Sequence, residues 1–153
     1  MLITRRLEFD AGHRIPDHKS QCRHLHGHRY AIEITLSGDI INKAGDAANG
    51  MVMDFSQVKD LAKTHLVDLW DHAFLAYRGD TAVVAFLQSM PGHKTVILDV
   101  VPTAENLAAE AFRILDPANL NHTREKSPGG KVDYHNIGAS FDVLRALGET
   151  KGA

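Results

Sequence analysis

The chain has 153 residues, 44% of them hydrophobic and 24% charged, which is the composition of one soluble globular domain and not of a disordered segment. Seventeen Lys and Arg against nineteen Asp and Glu leave a formal charge of −2, so no basic footprint marks a nucleic-acid or membrane-surface partner. A single cysteine excludes an internal disulfide framework, and the distinctive feature is ten histidines, five of them (His13, His18, His24, His26 and His28) within sixteen residues.

The N-terminus, MLITRRLEFD, is charged at once and lacks the apolar core of a secretion signal; no apolar run is long enough to span a bilayer. The expected location is the cytoplasm, and no linker divides residues 1–153, which read as a single domain. Leu7, Phe9, Ala11 and His13 share one parity while Arg6, Glu8 and Asp10 share the other, the period of a half-buried strand. Residues 14–25, with a proline and mixed polar side chains, predict a loop. A second strand follows, with His26, His28, Tyr30, Ile32, Ile34 and Leu36 on one face.

Residues 42–50 carry turn chemistry, and Asp54 with Gln57 predicts a helix start. Phe55, Val58, Leu61, Ala62, Leu66 and Leu69 then recur at helical spacing. A short helix is expected from Asp80 to Leu87, stopped by Met90-Pro91-Gly92, although AVVAFL also suits a strand. Residues 95–101 are β-branched and predict a strand. Thr103 is the expected N-cap of a helix ending near Pro117, residues 118–131 are polar loop, and 139–147 predict a last strand. The first two strands are too close in sequence for a crossover helix, so an α+β domain with an antiparallel sheet and helices on one face is expected.

His26 and His28 are two apart on a strand and project to the same side. His13 ends the preceding strand on its apolar parity. If the two strands pair antiparallel, three imidazoles converge on one ion and leave a fourth position open, the arrangement of a catalytic zinc centre. His18 and His24 belong to the loop and are not expected to ligate. Cys22, four residues before His26, has three possible uses: metal ligand, nucleophile or base, or inert buried thiol. A thiol beside a dication and Arg23 becomes acidic, which favours a chemical role.

Several pieces combine here: Phe9-Asp10-Ala11-Gly12-His13, Cys22 with His26-Gly27-His28, Asp54-Phe55, Leu69-Trp70-Asp71-His72, and Pro102-Thr103-Ala104-Glu105-Asn106. Together they resemble the 6-pyruvoyl-tetrahydropterin synthase family. The four-residue step from Cys22 to His26 is similar to its bacterial 6-carboxy-5,6,7,8-tetrahydropterin synthase branch, which serves queuosine (7-deazapurine) biosynthesis. The resemblance implies a tunnelling fold whose sheets close a barrel across subunits, assembled as a homo-hexamer (a dimer of trimers) with its site between subunits. It implies a Zn²⁺-dependent lyase, with zinc on His13, His26 and His28. The implied substrate is the small molecule 7,8-dihydroneopterin triphosphate; the products are 6-carboxy-5,6,7,8-tetrahydropterin, acetaldehyde and triphosphate. Cys22 carries over as the base. Asp71 and His72 carry over as the acid/base pair, although alone they equally suit a helix terminus. Glu149, in Glu149-Thr150, carries over as the pterin anchor, with Thr103 and Glu105 as secondary pterin contacts; the latter two also suit an N-cap and a first-turn acid. The alternatives are triphosphate elimination to 6-pyruvoyl-tetrahydropterin, or an inactive relative that binds zinc or pterin.

Overall fold

The computed structural model describes residues 1–116 and the backbone of two strand segments, 138–140 and 145–146. The fold is α+β. Strand β1 (Leu2–His13) and strand β2 (His26–Ser37) form a long antiparallel ribbon, with Leu2 opposite Ser37 and His13 opposite His26. The apolar residues of both strands share one face of this ribbon, as their alternation requires. There Phe9 stacks on Tyr30 with ring centroids 5.3 Å apart, and Ala11, Ile32, Ile34 and Leu36 are buried beside them.

The helical layer over this face starts at Asp54, whose carboxylate accepts a hydrogen bond from Ser56 N as the N-cap of helix α1 (Phe55–Ala62). The spacing of apolar residues predicts one continuous helix here. Instead, Lys63–Val67 form a π-helical turn before the short helix α2 (Asp68–Trp70). The wider turn rotates the buried face. Val67 and Trp70 enter the core, and Leu69, which the helical spacing places in the apolar stripe, is 54% exposed. Trp70 meets Phe9 edge-on at 6.1 Å. Helix α3 (Thr81–Gln88) and helix α4 (Ala104–Leu115) form as expected, the latter capped by the Thr103 hydroxyl, which accepts from Asn106 N. Leu107, Ala111 and Leu115 of α4 complete the main core.

Two features depart from expectation. A strand that the sequence pattern does not announce, β3 (Phe74–Tyr77), follows α2 and runs parallel to both the end of β1 and strand β4 (Thr95–Leu98). The sheet is therefore mixed, in the order β4-β3-β1-β2-β5, with β6 also on β2; β5 is Gly138–Ser140 and β6 Arg145–Ala146. Of the last predicted strand, 139–147, the described residues fall in β5 and β6, and the remainder lies outside the described residues. The helices also do not all lie on one face. Leu75 belongs to the main core, whereas Phe74 and Ala76, of opposite parity, pack with Val83 and Leu87 of α3 in a second cluster. Gly12 permits this extension: a Cβ there would lie 2.7 Å from Cδ2 of Phe74. The expected loop at 118–131 lies outside the described residues, and no described helix is long and apolar enough to cross a membrane.

Candidate metal centre

The antiparallel register brings His13 opposite His26 and Ala11 opposite His28, so all three imidazoles stand on the core-facing side at the open end of the ribbon. Their potential ligand atoms all lie within 4.8 Å of one another. His13 is buried and the other two are half-buried. Ring centroids are 4.6 Å apart for His13 and His26, 5.1 Å for His13 and His28, and 4.7 Å for His26 and His28.

The hydrogen bonds specify which nitrogens are available. His13 Nδ1 lies 2.8 Å from the Pro102 carbonyl oxygen, and His26 Nδ1 lies 2.6 Å from that of His24. A carbonyl only accepts, so each Nδ1 carries the proton and donates it. In the neutral rings each Nε2 is then a bare lone pair. These two lone pairs face each other at 3.1 Å. Two acceptors at that separation repel unless a cation or proton lies between them. Two ligands of a tetrahedral zinc ion bound at about 2.0–2.1 Å lie roughly 3.3 Å apart. The donor set therefore fits a divalent ion, and the carbonyls orient the ligands from behind. Burial pushes the His13 pKa down to about 4, against the raising effect of its bond to Pro102, and His26 and His28 lower it further. Burial also lowers that of His28. Both are neutral, and so ready to ligate, at pH 7.

The 102–106 segment builds the support for His13. Pro102 is fully buried. Asn106 Nδ2 donates to the Val101 carbonyl at 2.9 Å, Thr103 N donates to the same oxygen at 2.8 Å, and the Thr103 hydroxyl caps α4. The structure places Thr103 as the N-cap of α4 and Glu105 as an exposed first-turn acid. The signal missed in the sequence was the Pro102 carbonyl, which reaches His13 across 89 positions.

Cys22 is half-buried in a single 3₁₀ turn, Gln21–Arg23, and its carbonyl accepts from Ile15 N at 2.8 Å, which folds the loop back on itself. Tyr30 lies beneath the site, its ring edge-on to His13 and His28 at 5.9 Å each. Its hydroxyl is buried with no hydrogen-bond partner among the described residues, and burial, together with Cys22, raises its pKa.

Asp71 and His72 form a pair, Nδ1 to Oδ2 at 2.9 Å, on the other edge of β1. There Asp71 Oδ1 accepts from Asp10 N at 3.0 Å, and His72 N donates to Asp10 O at 2.6 Å. The bond from Asp10 N holds the Asp71 carboxyl below the usual range, assisted by His72, so Asp71 is ionised. His72 has a positive φ of 58° and a side chain 78% exposed. Among the described residues no hydrogen bond, ion pair or ring contact joins this pair to the three histidines. Glu149 lies outside the described residues.

A sequence model of the family described as 6-pyruvoyl tetrahydropterin synthase matches residues 2–132. The chain belongs to this family. It is 44% identical to a 6-carboxy-5,6,7,8-tetrahydropterin synthase of Rickettsia bellii over 69% of this chain and 72% of that protein. It is 34% identical to the protein of the same name from Haemophilus influenzae, over 74% and 80% respectively. Among solved structures, the fold is similar to that of 6-pyruvoyl tetrahydropterin synthase from Plasmodium falciparum, with a TM-score of 0.55 at 16% identity, covering 92% of this chain and 99% of that one. It is also similar to an uncharacterized protein of Wolinella succinogenes, with a TM-score of 0.60 at 17% identity, covering 93% and 98%.

Proposed function

We propose that this chain is a zinc-dependent lyase that converts 7,8-dihydroneopterin triphosphate to 6-carboxy-5,6,7,8-tetrahydropterin, acetaldehyde and triphosphate, in 7-deazapurine (queuosine) biosynthesis. The observation that carries the metal assignment is the pair of Nε2 lone pairs 3.1 Å apart, each fixed by a backbone carbonyl on the far side of its ring. The relatives named 6-carboxy-5,6,7,8-tetrahydropterin synthase, at 40–44% identity over 69% of the chain, support the substrate and product. His13, His26 and His28 hold the ion, which supplies Lewis acidity toward the oxygens of the substrate side chain.

Cys22, as thiolate, takes a proton from a side-chain carbon. Asp71 and His72 relay protons, with the carboxylate held against His72 Nδ1 and orienting the ring. Glu149 accepts the adjacent N–H donors of the pterin, a geometry carboxylates serve bidentately, with Thr103 and Glu105 as further contacts. The conversion consumes one water and needs no external redox partner.

Within one chain the Asp71–His72 pair lies against Asp10, whose side chain points to the face opposite Ala11 and His13. A site assembled from two copies supplies the missing group, which is consistent with a homo-hexamer in which sheets close a barrel and lose their exposed edges. Incubation with dihydroneopterin triphosphate tests the proposal. Release of acetaldehyde is the expected outcome; a 6-pyruvoyl product without acetaldehyde refutes it in favour of triphosphate elimination. The Cys22→Ala protein is expected to retain zinc and lose turnover, and unimpaired turnover would remove Cys22 from its role.

A further inference from the structure

The Asp71–His72 pair stands on a turn with an uncommon backbone. His72 is the one non-glycine residue with positive φ among the described residues, at 58°, a conformation that side chains disfavour. Its amide donates to Asp10 O and not to Asp68 O, where a continued helix would aim it. The end of α2 therefore leaves carbonyls without a helical donor. Lys94 supplies one. Its Nζ donates to Asp68 O at 2.7 Å and to Asp71 O at 2.6 Å, from 26 and 23 residues away. A cation there also meets the negative end of the helical peptide dipoles. Lys94 is itself fixed from behind, because its carbonyl accepts from Phe74 N at 3.0 Å just before β4 begins at Thr95. One ammonium thus ties two points of the turn, Asp68 ahead of the pair and Asp71 within it. Asp71 Oδ1 in turn accepts from Asp10 N. The Asp10 N bond and His72 do most to hold the Asp71 carboxyl low, and Lys94 adds to them.

We infer that Lys94 is a positioning residue for the Asp71–His72 pair, its ammonium clamping the Asp68 and Asp71 carbonyls so that the turn presents His72 in its left-handed conformation. The inference takes the use of the pair in proton transfer from the function proposed above and adds the group that fixes its geometry. Lys94 acts through the backbone of the turn. Proton transfer needs its partners within hydrogen-bond reach, so a small displacement of the imidazole is costly.

The test compares the zinc-loaded wild type with Lys94→Met, which keeps an unbranched side chain without a donor, and Lys94→Arg, which keeps cationic donors. With dihydroneopterin triphosphate, Lys94→Met is expected to lose kcat by about tenfold to a hundredfold with KM and zinc content unchanged, and Lys94→Arg to recover most of the loss. Amide hydrogen exchange reads the turn without turnover. The amides of Asp10 and His72, which donate to Asp71 Oδ1 and to Asp10 O, should exchange about tenfold faster in Lys94→Met, while the β1–β2 ladder is unchanged. Unchanged kcat, a change confined to KM, or a loss of kcat that lacks the faster exchange or that arginine does not restore overturns the inference and leaves the proposed function intact. Faster exchange across the whole ladder overturns it as well, in favour of a purely structural lysine. If the wild type does not turn over the substrate, the proposed function fails instead, and exchange decides the clamp alone: faster exchange at Asp10 and His72 that arginine restores upholds it, and any other pattern overturns it.

Discussion

Acid should destabilise the metal-free protein well above the range in which its carboxylates titrate. His13 is buried at 6% exposure beneath Pro102 and its pKa is pushed down to about 4, whereas in the unfolded chain it returns to about 6.5. Between these values the unfolded state binds the extra proton, so stability rises with pH across the window and falls on acidification. From pH 7 to pH 5 the loss attributable to His13 is about 2 kcal/mol, approaching about 3 kcal/mol at pH 4. Burial lowers His28 in the same direction and adds to the loss. Urea unfolding of chelator-stripped protein at a series of pH values measures this directly. The His13→Asn variant serves as the control, because its amide can still donate to the Pro102 carbonyl but does not titrate; its stability should fall less steeply over the same window. Identical slopes for the two proteins, or no slope between pH 6.5 and pH 4, would refute the assignment of a neutral, buried His13. Saturating zinc should raise stability most at neutral pH and steepen its fall on acidification, since the bound ion keeps the native histidines deprotonated while the unfolded chain still takes up protons.

Two further outcomes are expected. Asn106→Ala removes the bond to the Val101 carbonyl that steadies the segment holding His13; it should cost about 1 kcal/mol in unfolding and weaken zinc affinity roughly tenfold or more, read by competition with a chromogenic chelator. Trp70→Ala, at a fully buried position against Phe9, should cost about 3–5 kcal/mol in chemical unfolding, whereas Leu69→Ala, half exposed beside it, should cost under about 1 kcal/mol; equal losses would contradict the π-helical shift of the buried face.

The alternation of Leu7 to His13 and of His26 to Leu36 was enough to specify two strands, their antiparallel pairing and the convergence of three histidines, because a period of two fixes the face on which each side chain stands. The caps at Asp54 and Thr103 were equally local, since a side-chain oxygen satisfies a backbone N–H two or three residues away. What the tertiary structure decided lies at longer range. FLAY is too short to announce itself as β3, and it becomes a strand because β1 and β4 offer backbone partners on either side. The turn at Lys63–Val67 widens so that Trp70 rather than Leu69 meets Phe9, a choice made by core packing and not by helical period. The lone pairs of His13 and His26 are aimed by carbonyls at Pro102 and His24, and Asp71 is held by a backbone N–H of Asp10. Side-chain identity can announce a ligand, but its tautomer and direction depend on hydrogen bonds to backbone groups; every residue carries the carbonyl and all but proline the N–H, so no residue type betrays them.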